Sequence, residues 1–530
     1  MRRRNVVKIW LAVVCIVGLA ASSALAAALS ATVTTKQGTL TGTVTNDYRE
    51  FLGVPYAAPP VGALRFMPPV DPADYPGGAL TAQTPATACT QLGAGPGAPA
   101  ILNEDCLYLN IYTPLKRKNL PVMVWIHGGG FINGAGSQYV GATLAKKGDV
   151  IVVTINYRLG VFGFLATPDL AAEPGNTSGN YGILDQQKAL SWLKTNIANF
   201  GGDSNNITIF GGSAGAVSVA THIASPTSAG LFQRAIMESP LPGYVTATKD
   251  QNYAVGASIV GALGCTNAAV VLENACLRAA SVDDLNNITP TIYMAQGMPT
   301  LPKVTIDGVT LETRIDWAIA SGDFNQVPVL MGANEKEGAF LWAQTGITLD
   351  ANSYVATVDA VYGALGPLVL ATYPFPDPAY SDANDAFAAL MGDSVVACPT
   401  RTLIRQLTTA GVPVYAYYFT DPEAPKDFPT LPGNMPTHGS EVLYVFQDTV
   451  PGFTDASALS PAQLKLSDKI ISYWTNFARS GNPKGSPDWE EYSNKEDTFL
   501  ELTSGKHGIK ENTTYKAEHF CGFWAKYFGL

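Results

Sequence analysis

Short apolar runs rich in β-branched residues recur along the chain: Val122–Ile126 ("VMVWI"), Val150–Asn156 ("VIVVTIN"), Ile207–Phe210, Ala235–Glu238, Val327–Met331 and Val412–Phe419. They are apolar almost throughout, with no polar alternation, as strands buried on both faces must be. Helix-like segments separate them. In "DQQKALSWLKTNIANF" (Asp185–Phe200), Ala189, Leu190, Leu193 and Ile197 fall on one helical stripe. This alternation predicts an α/β fold, with a mostly parallel sheet covered by helices on both faces. With 530 residues, 47% apolar and 14% charged, the chain is long enough to bury a large core. It shows no internal repeat, low-complexity tract or long linker.

The first 26 residues read as a secretory signal peptide. Arg2, Arg3, Arg4 and Lys8 precede an apolar run, Ile9–Ala21, and Ala24-Leu25-Ala26 supplies a cleavage site. That run is too short for a convincing membrane span, so no stable membrane anchor is expected. The expected location is outside the cell, or the periplasm of a bacterium. Cleavage removes four positive charges and moves the formal net charge from −10 to −14. The only basic cluster left is the short "LKRKN" at Leu115–Asn119, so nucleic-acid binding is not expected. Six of the seven cysteines remain: Cys89, Cys106, Cys265, Cys276, Cys398 and Cys521. An even number in an exported chain points to disulfides. Proximity favours Cys89–Cys106 and Cys265–Cys276, which leaves Cys398–Cys521.

The chemistry centres on "NITIFGGSAGA" (Asn206–Ala216), a strand, a Gly-x-Ser-x-Gly turn and the start of a helix. A serine in such a turn, Ser213, is pushed out above the sheet as a nucleophile. A second glycine turn, "WIHGGGFINGAG" (Trp125–Gly136), follows another buried strand. Its bare N–H groups suit the negative oxygen formed during ester hydrolysis, and the N–H of Ala214 adds the positive end of its helix. Of five histidines, His438 in "GNMPTHGSEVLYVF" lies on a late Pro/Gly-rich loop and fits the order serine, acid, histidine. His127, His222, His507 and His519 are expected to be structural or on the surface. His222, on the same helix as Ser213, lies about 13 Å away along the axis. The acid belongs on the loop after "VPVLMGAN", where local reasoning leaves both Glu335 and Glu337 open.

These segments resemble the type-B carboxylesterase/cholinesterase family. So do "FLGVPYAAPPVGALRF" (Phe51–Phe66), "EDCLYLNIYTP" (Glu104–Pro114), "NYRLGVFGFL" (Asn156–Leu165) and "NEKEGAF". The resemblance implies an α/β-hydrolase fold with one catalytic domain over 27–530. It further implies the triad Ser213, Glu337 and His438, an oxyanion hole from Gly129, Gly130 and Ala214, and all three disulfides. Arg65–Glu104 and Arg158–Asp185 resemble the family's structural ion pairs. The implied partner is a small-molecule ester. No metal or cofactor is expected, and the sequence does not indicate the oligomeric state.

Some residues depart from the family pattern. Many relatives carry an acid before the nucleophile, where this chain has Gly212. The loop from Cys89 to Cys106 has no aromatic residue, whereas cholinesterases place there a tryptophan that holds a quaternary ammonium. Pro240, in "MESPL", stands where relatives usually have glycine. A general carboxylesterase is therefore expected over a cholinesterase. A lipase is the nearer alternative, and a non-catalytic adhesion protein on the same fold the more distant one. Sequons begin at Asn176, Asn206, Asn287 and Asn512; Asn206, opening the strand before Ser213, is expected to carry no glycan.

Overall fold

A computed structural model describes residues 31–529, apart from 46, 92–101, 116–117, 242–245, 267–269, 295–301, 427–430, 449–455 and 507. The expected signal peptide, most of the Cys89–Cys106 loop and His507 lie outside the described residues.

An eleven-stranded sheet organises the described chain. Its strands are β1 (Thr43–Val44), β2 (Tyr48–Pro55), β3 (Tyr108–Pro114), β4 (Leu120–Ile126), β5 (Ile151–Ile155) and β6 (Gly202–Gly212). After these come β7 (Arg234–Glu238), β8 (Val329–Asn334), β9 (Val414–Phe419), β10 (Phe499–Leu502) and β11 (Lys510–Asn512). The spatial order is β11-β10-β9-β8-β7-β6-β4-β5-β3-β2-β1. Pairing from β5 through β4 to β10 is parallel; β1, β2, β3 and β11 are antiparallel. The six strands expected from sequence are the parallel core, β4 to β9, with shifted ends.

Burial on both faces is visible along single strands. All seven residues of β4 are buried. Val122, Val124 and Ile126 join one apolar cluster, while Met123 and Trp125 join another. Strands β7, β8 and β9 alternate between the same two clusters, so the sheet separates two cores. Helix α1 (Tyr181–Asn196), continued by a 3₁₀ turn at Ile197–Phe200, lays Ala189, Leu190, Leu193 and Ile197 into the first cluster, as the stripe predicts.

The disulfides Cys89–Cys106, Cys265–Cys276 and Cys398–Cys521 all form. The last spans 123 residues, and in the chain-entropy view such a closure stabilises by on the order of 5 kcal/mol. Arg158 and Asp185 make a bidentate buried pair at 2.8 and 2.7 Å, and Arg65 and Glu104 another at 2.6 and 2.5 Å. Asn206 is tied down too: its Oδ1 accepts from Arg234 and its Nδ2 donates to the Arg479 carbonyl. Among the described residues one stretch, Ala351–Thr372, is long and apolar enough to cross a membrane. It is interrupted at Gly363 (φ 54°, ψ −124°).

Candidate active site

The parallel register brings the carboxyl ends of the central strands to one edge. Ile126 of β4 pairs with Gly211, Gly212 of β6 with Glu238 of β7, and Glu238 with Gly332 of β8. Loops leaving this edge carry the candidate residues, where open α/β sheets place their ligands.

Strand β6 turns through Ser213 into α2 (Ala214–Ala224). Ser213 has φ 56° and ψ −124°, a strained backbone for a residue with a side chain, and its N–H donates to the Glu238 carbonyl at 2.9 Å. The flanking glycines permit the crossing. A Cβ at Gly215 would lie 2.0 Å from the Ile126 carbonyl oxygen, and one at Gly211 would lie 2.6 Å from it. Gly212 differs, because a Cβ there meets nothing closer than Trp125 Cη2 at 3.5 Å. Packing at Cβ therefore does not demand glycine at 212. Gly212→Ala is expected to fold and stay active, while Gly215→Ala is expected to lose its native thermal transition; paired melting curves and ester assays check both.

The glycine loop lies against this elbow: a Cβ at Gly128 would sit 3.1 Å from Ser213 Cβ and 2.8 Å from the Gly212 oxygen. Gly129 (φ 102°) and Gly130 (φ 62°) take conformations that residues with side chains rarely adopt. Behind the loop, His127 stacks on Tyr157 with centroids 4.4 Å apart, and the Tyr157 hydroxyl donates to the His127 carbonyl at 2.7 Å. Burial pushes the His127 imidazole down to about 4, so it is a neutral brace at physiological pH. The Ala214 N–H opens α2, where helix geometry provides no acceptor within the helix.

Glu337 begins α3 (Glu337–Ala343), three residues beyond the end of β8, and is buried. Gly338 follows because a Cβ there would lie 1.8 Å from the Ala388 carbonyl oxygen. His438 lies on the loop before α4 (Ser440–Phe446). The two loops are stitched by a bridge between Lys336 and Thr437, with Lys336 N–H donating to the Pro436 carbonyl at 2.9 Å. His438 Nδ1 meets Glu337 Oε2 at 2.5 Å, and the Phe340 ring stacks over the imidazole at 6.0 Å. Four residues on from His438, Val442 Cγ2 lies 3.7 Å from where a Cβ of Gly212 would be, so α4 abuts the elbow. Glu335, the other candidate acid, is half-buried and raised by burial, with the adjacent Lys336 opposing that shift.

The other described histidines are structural. His222 is buried between Ser228 Oγ and Gln186 Oε1, both at 2.9 Å, and burial pushes it down to about 3. His519 Nδ1 pairs with Asp393 Oδ1 at 2.6 Å beside the Cys398–Cys521 bridge.

Sequence reasoning missed a layer behind Glu337. Its Oε1 accepts from the Asn334 N–H and the Ser239 hydroxyl, both at 2.6 Å. Glu441, on α4, touches Ser239, Tyr417 and Asn334, and Glu238 accepts from Trp474 Nε1 at 2.8 Å. Burial, then the neighbouring acids, push the carboxyls of Glu238 and Glu441 up. Ser239 carries its own mark, a φ of 52°. Pro240 follows it, and the Pro240 carbonyl accepts from Thr400 Oγ1 at 3.4 Å. In the sequence Glu441 sits three residues after His438 and Ser239 inside "MESPL", but nothing local indicates that they converge.

The chain matches known proteins over nearly its whole length. The model of the Carboxylesterase family covers residues 29–524. A liver carboxylesterase of Sus scrofa is 36% identical over 500 residues, 85% of this chain and 84% of that protein. A cocaine esterase of Oryctolagus cuniculus is 36% identical, covering 82% and 84%. Liver carboxylesterase 1F of Rattus norvegicus is 34% identical, covering 91% and 90%. With the hydrolase sheet and these matches together, the chain belongs to the carboxylesterase family and is a carboxylic ester hydrolase.

Proposed function

We propose that residues 1–26 are removed on export and that 27–530 form one domain hydrolysing carboxylic esters through Ser213, His438 and Glu337. His438 takes the Ser213 proton as the hydroxyl attacks the ester carbonyl. The N–H groups of Gly129, Gly130 and Ala214 receive the developing oxyanion. The alcohol leaves with a proton returned by His438, and water repeats the sequence on the acyl-enzyme. Glu337 holds the imidazole with Nδ1 protonated and offsets its positive charge. The observation that carries this reading is the 2.5 Å contact between His438 and Glu337, 101 residues apart in sequence, on two loops stitched together by the Lys336–Thr437 bridge.

A fluorophosphonate probe followed by peptide mapping tests it, with the label expected on Ser213. Labelling elsewhere, or none on active protein, overturns the assignment. Without an acid at 212 or an aromatic residue between Cys89 and Cys106, we propose neutral esters as substrates. Nitrophenyl esters are expected to be turned over at least as well as choline esters of equal acyl length; a clear advantage for the choline esters contradicts this.

A further inference from the structure

Three carboxyl groups, those of Glu337, Glu441 and Glu238, are buried side by side at 1%, 1% and 0% exposure. Among the described residues, no lysine or arginine hydrogen-bonds to any of them. The groups facing Glu441 are Glu337 from α3, Glu238 from β7, Tyr417 from β9 and His438 from the loop before α4. His438 is the only one of these able to bear a positive charge, and it is bonded to Glu337. Three buried anions around one cation would be prohibitively costly.

The hydrogen bonds indicate which group takes up a proton. Ser239 Oγ lies 2.6 Å from Glu337 Oε1 and 3.2 Å from Glu441 Oε1. A hydroxyl has one proton to donate. If both glutamates were ionised, one contact would set an oxygen lone pair against a carboxylate. Both contacts are satisfied when Glu441 Oε1 carries a proton and donates it to Ser239 Oγ, while Ser239 donates to Glu337. The remaining partners agree with this: Glu441 Oε2 accepts from Asn334 Nδ2, and Oε1 accepts from the Tyr417 hydroxyl at 3.1 Å.

We propose that Glu441 works as a neutral carboxylic acid, a positioning residue that feeds a proton-donor relay through Ser239 into the Glu337–His438 pair. Glu441 does not touch the substrate. Its carboxyl is raised by burial first and by Glu337 next, so the neutral form persists above the ordinary glutamate range and ionises as pH climbs. Ionisation reverses the relay and adds a negative charge beside Glu337, so activity falls on the alkaline side.

The proposal rests on the Ser213–His438–Glu337 reading, and its test separates the two. Full-length wild type, Glu441→Gln and Glu441→Leu are compared by kcat and KM against pH on a neutral nitrophenyl ester. Infrared difference spectra at neutral pH report the carbonyl stretch of an un-ionised carboxyl. A glutamine amide can donate to Ser239 and accept from Asn334, so it mimics the neutral acid; leucine cannot. Glu441→Leu is expected to lower kcat about tenfold to a hundredfold at nearly constant KM, from loss of one hydrogen bond in a charged network. Glu441→Gln is expected to restore most of that loss, to flatten the alkaline limb and to remove the Glu441 component of the un-ionised carboxyl band, leaving that of Glu238, whose carboxyl burial also pushes up. Failure of Glu441→Gln to rescue, or equal un-ionised carboxyl intensity in wild type and Glu441→Gln, overturns the proposal. The band does not depend on catalysis, so it stands or falls apart from the triad. Should Glu441→Leu not fold, Glu441→Gln with the spectrum still decides.

Discussion

Ser213→Ala is expected to give a folded protein whose kcat for a neutral ester falls roughly 10⁴- to 10⁶-fold. The histidine on α2, the helix that Ser213 caps, is no substitute: His222 is buried between Ser228 and Gln186. Folding should survive because the elbow is held by backbone, through the Ser213 N–H to the Glu238 carbonyl and the close crossing of Gly215 under Ile126. Removing only the hydroxyl leaves those backbone contacts alone. The residual rate should stay above the uncatalysed one, because the N–H donors of the glycine loop remain. Adding His438→Ala to this variant should cost little more, since nucleophile and base act as one unit. Single-turnover assays of the two single variants and the double variant check this. Substantial turnover by Ser213→Ala would remove Ser213 from its assigned role.

Glu337→Gln carries the second large effect, a loss of roughly 10³- to 10⁴-fold in kcat. The geometry dictates which way the new amide turns. If its nitrogen took the Oε1 position, it would face the Asn334 N–H across 2.6 Å, donor against donor. It therefore takes the Oε2 position, 2.5 Å from His438 Nδ1. That forces Nδ1 to accept, moves the imidazole proton to Nε2 and removes the base. Glu335→Gln provides the control and should stay within about threefold, because Glu335 is not bonded to His438 and a near-isosteric amide fills its half-buried site. Equal losses in the two variants would show that charge near the loop matters and that the 337 contact does not. Slower fluorophosphonate labelling of Glu337→Gln is the independent readout.

How far the sequence carries toward this site depends on what is local. The elbow was legible because strand, serine turn and helix are contiguous, and the glycine loop because consecutive glycines have few uses other than exposing backbone. The strand ends were less so. Strand β8 runs on to Asn334, past Met331, through Gly332, whose Cβ would lie 2.1 Å from the Tyr417 carbonyl oxygen. That close approach is a property of the paired sheet, so an apolar run read alone stops short. Glu335 and Glu337 could not be separated locally, because the difference lies in where β8 ends and α3 begins. Ser239, Asn334, Glu238 and Glu441 were invisible for a related reason. They meet because Gly212, Glu238 and Gly332 share one register level, and register is set by the whole sheet. The disulfide pairs were accessible because two of the loops are short, which left the third pair by elimination.

The margins of the sheet have a consequence for how this protein behaves when crowded. On one side the last strand is β1, two residues long; on the other it is β11, three residues, with Lys510 and Glu511 exposed. A wide sheet with long bare rims would be a template on which a second molecule could continue the backbone ladder, the first step of cross-β growth. Here the rims are too short and, at β11, too charged to seed one, which favours an enzyme that stays dispersed at high concentration.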